Sequence, residues 1–273
     1  MSTARVAFVQ GVGFWSSRLP GWDVAAPALR GSTSAPLEAS RRPVPALLPA
    51  TERRRAPDTV AVALEVASRA CESAAVDPAT LASVFASTHG DLAISDYMCE
   101  TLATNPTLTS PTRFHNSVHN AAAGYWTIAA GCYAPYTAVT AHAHTFGEGL
   151  LEALTQVAAD GAPVLYVAYD IEARGPMATM APSRGLLGAA LVLAPAASPR
   201  SAARLAWRTC PGHESEATAA RAGNLAAVEG NAMAHCLPLF ECLAQGSGSL
   251  RLSLSPQLLL EITVSPGTEG VRT

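Results

Sequence analysis

The chain has 273 residues, 49% hydrophobic and 14% charged, which is enough apolar material for a sizeable core and too little charge for long disordered tails. Its formal net charge of -3 provides no basic field for a polyphosphate, so nucleic acid is not an expected partner. All 18 positive side chains are Arg, and the lack of any Lys excludes a P-loop lysine, a Schiff base and a lysine general base.

In chain order, Arg5 to Val12 predicts a strand. Gly11-Val12-Gly13 then invites a dinucleotide reading, but Ser16 replaces the third glycine and Pro20 stands where a helix should run. Residues 15–50, rich in Pro, Gly and Ser with Arg41-Arg42 in the middle, read as a long surface loop. Asp58 is placed to cap a helix carrying Val62, Val66 and Ala70, and Val84 to Ser87 forms a short buried strand. A helix over 92–103 and a Pro-rich turn over 105–112 follow.

Residues 111–154 read as helix, tight turn, buried strand over Tyr136 to Ala141, elbow at His142-Ala143-His144, and a second helix from Thr145 with Leu150, Leu151 and Leu154 on one side. Ala162 to Tyr169 and Leu186 to Leu193 are continuous apolar runs, each predicting a strand buried on both faces. Beyond them come a strand at 203–208, helices near 214–228 and 231–244, and a hairpin-like pair at 249–254 and 258–264. Strands alternating with helices imply an α/β protein with a mostly parallel sheet covered on both sides, in one domain spanning 1–273. The six cysteines lack CxxC spacing and read as buried thiols of a reducing compartment. With no run of roughly 18 apolar residues and no signal segment, the expectation is a cytoplasmic protein without membrane insertion.

The elbow is the chemically informative place. A strand-to-helix elbow exposes one side chain beside the unpaired N–H groups of a helix start, which suits an activated Ser or Cys. Here it carries Ala143, which has no atom to attack with. Other chemistry has weaker footing. His115 and His119 lie four apart, and His142 and His144 two apart, so they fit either a zinc site or imidazoles bonded to backbone at a subunit interface. Cys132 sits in a turn with no base assigned to it, and no GxSxG occurs. Asp170 and Glu172 at a strand end fit a carboxylate pair or a helix cap. Phe114 and Phe146 fit core or cavity wall.

The segment SVHNAAAG, Ser117 to Gly124, with Asn120, Ala123 and Gly124 at a helix entry, and the later APYTAVTAHAHTFGEGLLEA, with Pro135, Glu152 and Ala153, resemble the N-terminal half of a beta-ketoacyl synthase of the thiolase superfamily. With ARVAFVQGVGFW near the start, ERRRA at 52–56, VFASTHGD at 84–91 and LLEITV near the end, the nearest resemblance is to short chain-length-factor-like homologues of aryl polyene and xanthomonadin-type pigment biosynthesis. In that register Ala143 takes the place of the nucleophilic cysteine. Asn231, in GNAMAHCLPLFECLA, stands where the family has a histidine, with Gly212-His213 as an alternative match.

The resemblance implies a thiolase-like layered α-β-α sandwich with a complete N-terminal half, 1–195, and an abbreviated C-terminal portion, 196–273. It implies a non-catalytic subunit with no cofactor or metal, paired with a catalytic ketosynthase and serving an acyl carrier protein. Tyr136 to His142 would be the pairing strand. Phe114, His115, Asn116, Ser117, Val118, His119 and Asn120, with His142, His144 and Phe146, would form tunnel wall and interface. Arg53 to Arg55 would be a solvated face or a docking patch for the carrier. The competing reading is an independent acyltransferase or thioester hydrolase using Cys132 or a His-bound metal.

Overall fold

The computed structural model describes residues 4–34, 42–228 and 230–267. At its centre lie the two strands with continuous apolar sequence, β4 (Val164–Asp170) and β5 (Leu187–Ala194), every residue of which is buried. Around them run β1 (Arg5–Ser16), β2 (Ala82–Ala86), β3 (Tyr136–Val139), β6 (Ala203–Pro211), β7 (Gly248–Ser255) and β8 (Leu258–Pro266), giving one sheet ordered β3-β2-β4-β5-β1-β6-β8-β7. Where a strand is covered on one face only, its sequence alternates: β7 buries Leu250, Leu252 and Leu254 and turns Arg251 and Ser253 outward.

Helices cover the sheet on both faces, which is the expected α/β sandwich. One layer holds α3 (Asp58–Ala74) and α6 (Ala121–Ala130), where Val62, Val66 and Trp126 pack on Leu165, Val167 and Val192. Gly11 and Gly13, the pair that suggested a nucleotide loop, serve this packing. A Cβ at either would collide with the carbonyl oxygens of Ala70 or Val66, so only glycine lets α3 lie directly on β1. The opposite layer holds α1 (Trp22–Arg30), α7 (Thr145–Asp160) and α10 (Leu237–Gln245). Leu150 and Leu154 of α7 are 0% exposed, and full burial of such a side chain is worth about 1.5–3 kcal/mol.

Several expectations need correction. The sheet is not mostly parallel: β2 pairs in parallel with β3 and β4, whereas the other five pairings are antiparallel. The stretch 15–50 is not a plain loop, since it contains α1 and the start of α2 (Ala50–Arg55); its residues 35–41, including Arg41, lie outside the described residues. Pro27 inside α1 disguised that helix, but burial of Ala25 and Leu29 outweighs the hydrogen bond it removes. Asp58 does not cap α3; it is its first residue, and it pairs with Arg42 at 3.3 Å. The turn over 105–112 ends in a short helix, α5 (Pro111–Asn116), after α4 (Leu92–Thr104). The Met177–Met180 turn, α8, follows β4, and the two C-terminal helices expected at 214–228 and 231–244 are broken into 3-10 turns around α9 (Ala222–Ala227) and α10. β3 is a half-exposed edge strand rather than a buried one.

Candidate functional site

The elbow forms where the sequence predicts it, between β3 and α7, as a single 3-10 turn over His142–His144. His142 adopts the left-handed region at φ 52, a conformation few non-glycine residues take. Thr145, 1% exposed, fixes the turn: its Oγ1 accepts from the Ala141 N–H at 2.9 Å and donates to the His142 carbonyl at 2.7 Å. Ala143 faces a recess of about 250 Å3, shared with His144, Gly147, His235, Arg251 and Ser253. Polar side chains stand around the recess, and Ala143 adds a methyl group to it.

The four histidines do not converge. His119 Nε2 bonds the Ser87 carbonyl at 2.8 Å, and His144 Nδ1 meets Ser253 Oγ at 3.0 Å while its Nε2 lies 3.9 Å from Glu214. His115 stands edge-on to Tyr125 with ring centroids 6.4 Å apart, and His142 is exposed. Among the described residues no three His, Cys, Asp or Glu side chains stand close enough to hold an ion, so the zinc reading lacks a ligand set. His119 and His144 act as clasps, to a backbone carbonyl and to a serine hydroxyl respectively.

Asp170 and Glu172 also part: Glu172 is exposed, whereas Asp170 is 0% exposed and serves the turn after β2. It accepts from Ser87 Oγ at 2.8 Å, Thr88 N–H at 3.0 Å and His89 N–H at 3.2 Å, with burial the main influence pushing its pKa up. It clasps a turn and caps no helix: the N-cap of α4 is Asp91, which accepts from the Ile94 N–H. Cys132 is 5% exposed, and its thiol donates to the Leu81 carbonyl at 3.4 Å. No base contacts it among the described residues, so it has no means of activation. Burial also pushes the Cys71 thiol up to about 12 and raises that of Cys236, as expected of inert core thiols.

The residues assigned to tunnel and interface divide into two groups. Phe114 and Val118 are 63% and 52% exposed, and Ile128, Tyr133 and Tyr136 are exposed large apolar side chains as well. Asn120 Nδ2 donates to Tyr136 Oη at 2.9 Å, tying α6 to that strand, and Ser117 Oγ donates to the Phe114 carbonyl at 2.8 Å. Asn116 is buried. Phe146 departs from the wall assignment: it is 1% exposed, in the core against Tyr166, whose hydroxyl donates to the Phe146 carbonyl at 2.7 Å. An apolar groove of about 570 Å3 lies between residues 47–49 and α6, lined by Leu47, Val118, Tyr125 and Ile128 among others. Asn231 is a structural clamp, its Nδ2 donating to the carbonyls of Asp170, Arg184 and Gly185 at 3.0–3.2 Å.

Sequence reasoning missed the contribution of the C-terminal hairpin. Ser253 and Arg251 on β7 wall the recess beside Ala143 from more than 100 positions away, and the one hint was the outward phase of β7.

The family described as Beta-ketoacyl synthase, N-terminal domain matches residues 29–256. No curated protein matches the sequence significantly. Among solved structures, the ketosynthase ApeO in complex with its chain length factor ApeC from Xenorhabdus doucetiae is similar at 21% identity and TM-score 0.71, over 96% of this chain and 100% of that one. The ishigamide ketosynthase/chain length factor is similar at 14% identity and TM-score 0.73, over 96% and 100%. A beta-ketoacyl synthase from Burkholderia phymatum STM815 is similar at 11% identity and TM-score 0.64, over 97% and 100%. The single sheet between helical layers is thus a thiolase-like ketosynthase fold in a short chain.

Proposed function

The chain belongs to the family of beta-ketoacyl synthase N-terminal domains, and on that basis we propose that it is a non-catalytic, chain-length-factor-like subunit that pairs with a catalytic ketosynthase and shapes its acyl tunnel in type II polyketide synthesis of the aryl polyene kind. The observation that supports this reading most is Ala143 at the elbow, a methyl group at the position where the resemblance puts a nucleophilic cysteine. No Lys exists elsewhere in the chain to supply the missing chemistry, and Cys132 is sealed in the core.

A partner is supported by the edge of the sheet. Among the described strands β3 pairs only with β2, Tyr136 on it is exposed, and the apolar side chains of Phe114, Val118 and Ile128 are exposed as well. An exposed edge is a template for another chain, and a related subunit offering its own β3 would cover both copies at once. The complexes of ketosynthase with chain length factor among the similar structures fit this role. An acyl carrier protein is the second partner, for which the exposed Arg54 and Arg55 on α2 offer positive charge.

In this reading length control is steric. A growing chain that must displace a wall side chain incurs overpacking of roughly 1–3 kcal/mol per added unit, enough to slow extension about tenfold. Co-expression with the cognate ketosynthase, followed by sizing and mass analysis of products, tests the proposal. A stable one-to-one complex is expected, with Phe114→Ala lengthening the product and Phe114→Trp shortening it. Absence of any complex would overturn the subunit role, and unchanged products from an intact complex would overturn the wall role.

A further inference from the structure

The recess beside Ala143 holds side chains that the proposed subunit role does not use. Ser253 Oγ lies 3.0 Å from His144 Nδ1, and both residues line the recess. His144 Nε2 lies 3.9 Å from the carboxylate of Glu214, which lines it too. With its proton on Nε2, toward Glu214, the imidazole accepts the Ser253 O–H at Nδ1. A hydroxyl, a base bonded to it and a carboxylate behind the base are the constellation that activates a serine, whatever their order along the chain.

The surroundings suit the charges such chemistry creates. The His144 side chain is 18% exposed, so the pair stays open to a substrate. Glu214, and Glu148 in the first turn of α7, offset a positive charge on His144. Burial, with His144 adding to it, holds His235 below the ordinary value of 6.5, so at neutral pH that neighbour brings no competing charge. Arg251 shares the outward face of β7 with Ser253 and also lines the recess. Its contacts with Glu216 at 3.3 Å and Glu261 at 3.8 Å engage two nitrogens of a guanidinium that has five N–H donors, leaving donors for a negative oxygen. β7 bulges between Ser253 and Ser255, a distortion common beside active sites.

We propose that Ser253, His144 and Glu214 form a hydrolase site for short acyl thioesters. Ser253 Oγ attacks the carbonyl carbon while its proton passes to His144 Nδ1, and Arg251 stabilises the oxyanion. Collapse breaks the C–S bond; the thiol leaves with the proton from His144, and the acyl group stays on Ser253 as an ester. Water then attacks the ester and gives one proton to His144, which returns it to Ser253 Oγ as the free acid departs. A recess of about 250 Å3 is smaller than the roughly 300–1,000 Å3 of a site for a drug-sized ligand, which favours a short acyl group over a long one. The site goes beyond the subunit reading and does not depend on it, because hydrolysis requires no partner chain.

The test is hydrolysis of the acetyl and octanoyl thioesters of N-acetylcysteamine by the purified full chain, followed by chromatography of the released acid. The acetyl thioester is expected to turn over about tenfold faster than the octanoyl one, and Ser253→Ala and His144→Gln should each lower turnover about 100-fold or more. Glu214 is a positioning residue: Glu214→Gln should lower turnover about tenfold and move the rising limb of the pH–rate profile to lower pH, because the imidazolium loses a neighbouring carboxylate. Peptide mapping of the wild type should find an acetyl group on Ser253, a readout that holds even if Ser253→Ala fails to fold. No turnover above buffer, turnover unchanged in Ser253→Ala, or acetyl found only on the exposed Cys99 would each overturn the site. Ser253-dependent turnover by a chain that forms no ketosynthase complex would sink the subunit reading alone.

Discussion

Thr145 holds the elbow by a two-way hydrogen bond, and His142 tolerates its left-handed backbone because of it. Such backbone strain costs on the order of 1 kcal/mol and persists only while the surroundings enforce it. Thr145→Ala would leave the Ala141 N–H and the His142 carbonyl without that partner. It is expected to lower stability by about 1–3 kcal/mol, read as a shift in the urea midpoint, with Thr145→Ser recovering most of the loss. His89 reports on the same end of the sheet through pH. Desolvation holds its imidazole below the ordinary value of 6.5, against the pull of Asp170 and together with the like charge of His142. The folded chain therefore binds that proton less readily than the unfolded one, so the contribution is complete above about pH 6.5 and is lost as pH falls below it. Urea titrations at pH 5.5 and 7.5 should show that decline, and His89→Gln should reduce it. Ala143 was legible in the sequence because strand, elbow and helix are contiguous there. The contact of His144 with Ser253 was not, because the two are 109 positions apart and no local pattern joins them.

At the level of elements, the proposed pairing rests on the free edge of β3. The carbonyls of Pro135 and Val139 accept from Ser83 and Ser87 of the β2 segment, so by alternation the backbone groups of Ala138 face outward. Ala138→Pro should thus remove an outward N–H while sparing the β2 ladder. The melting temperature is expected to stay within a degree or two of the wild type while co-purification with a ketosynthase is lost; retained pairing would mean that β3 is not the docking edge. Legibility followed burial symmetry. β4 and β5, buried on both faces, announced themselves as unbroken apolar runs, and α3 by its helical spacing. α1 was missed because Pro27 and the flanking glycines imitate a loop, and its packing against α10 is a tertiary fact. Strand direction was misjudged for a related reason: alternation of strands with helices suggests parallel crossovers, but it carries no record of β1 and β6 pairing antiparallel across 200 residues.

Over the whole molecule, the layered class follows from composition and periodicity, while the family emerges from a few motifs around the elbow. The two large cavities, one apolar and one ringed by charge, could not be foreseen, because each draws walls from segments far apart in the sequence. The order of strands has one more consequence, for synthesis. β1 leaves the ribosome before the other described strands but finishes wedged between β5 and β6, whose pairing residues lie at 187–194 and 203–207. Both flanks of an apolar ribbon must wait, unzipped, for about 180 further residues to be translated. A transcript cut short before that point would release a chain with its sticky first strand bare. Nascent-chain holdases, or close timing with a partner's translation, would then govern yield more than the stability of the finished fold.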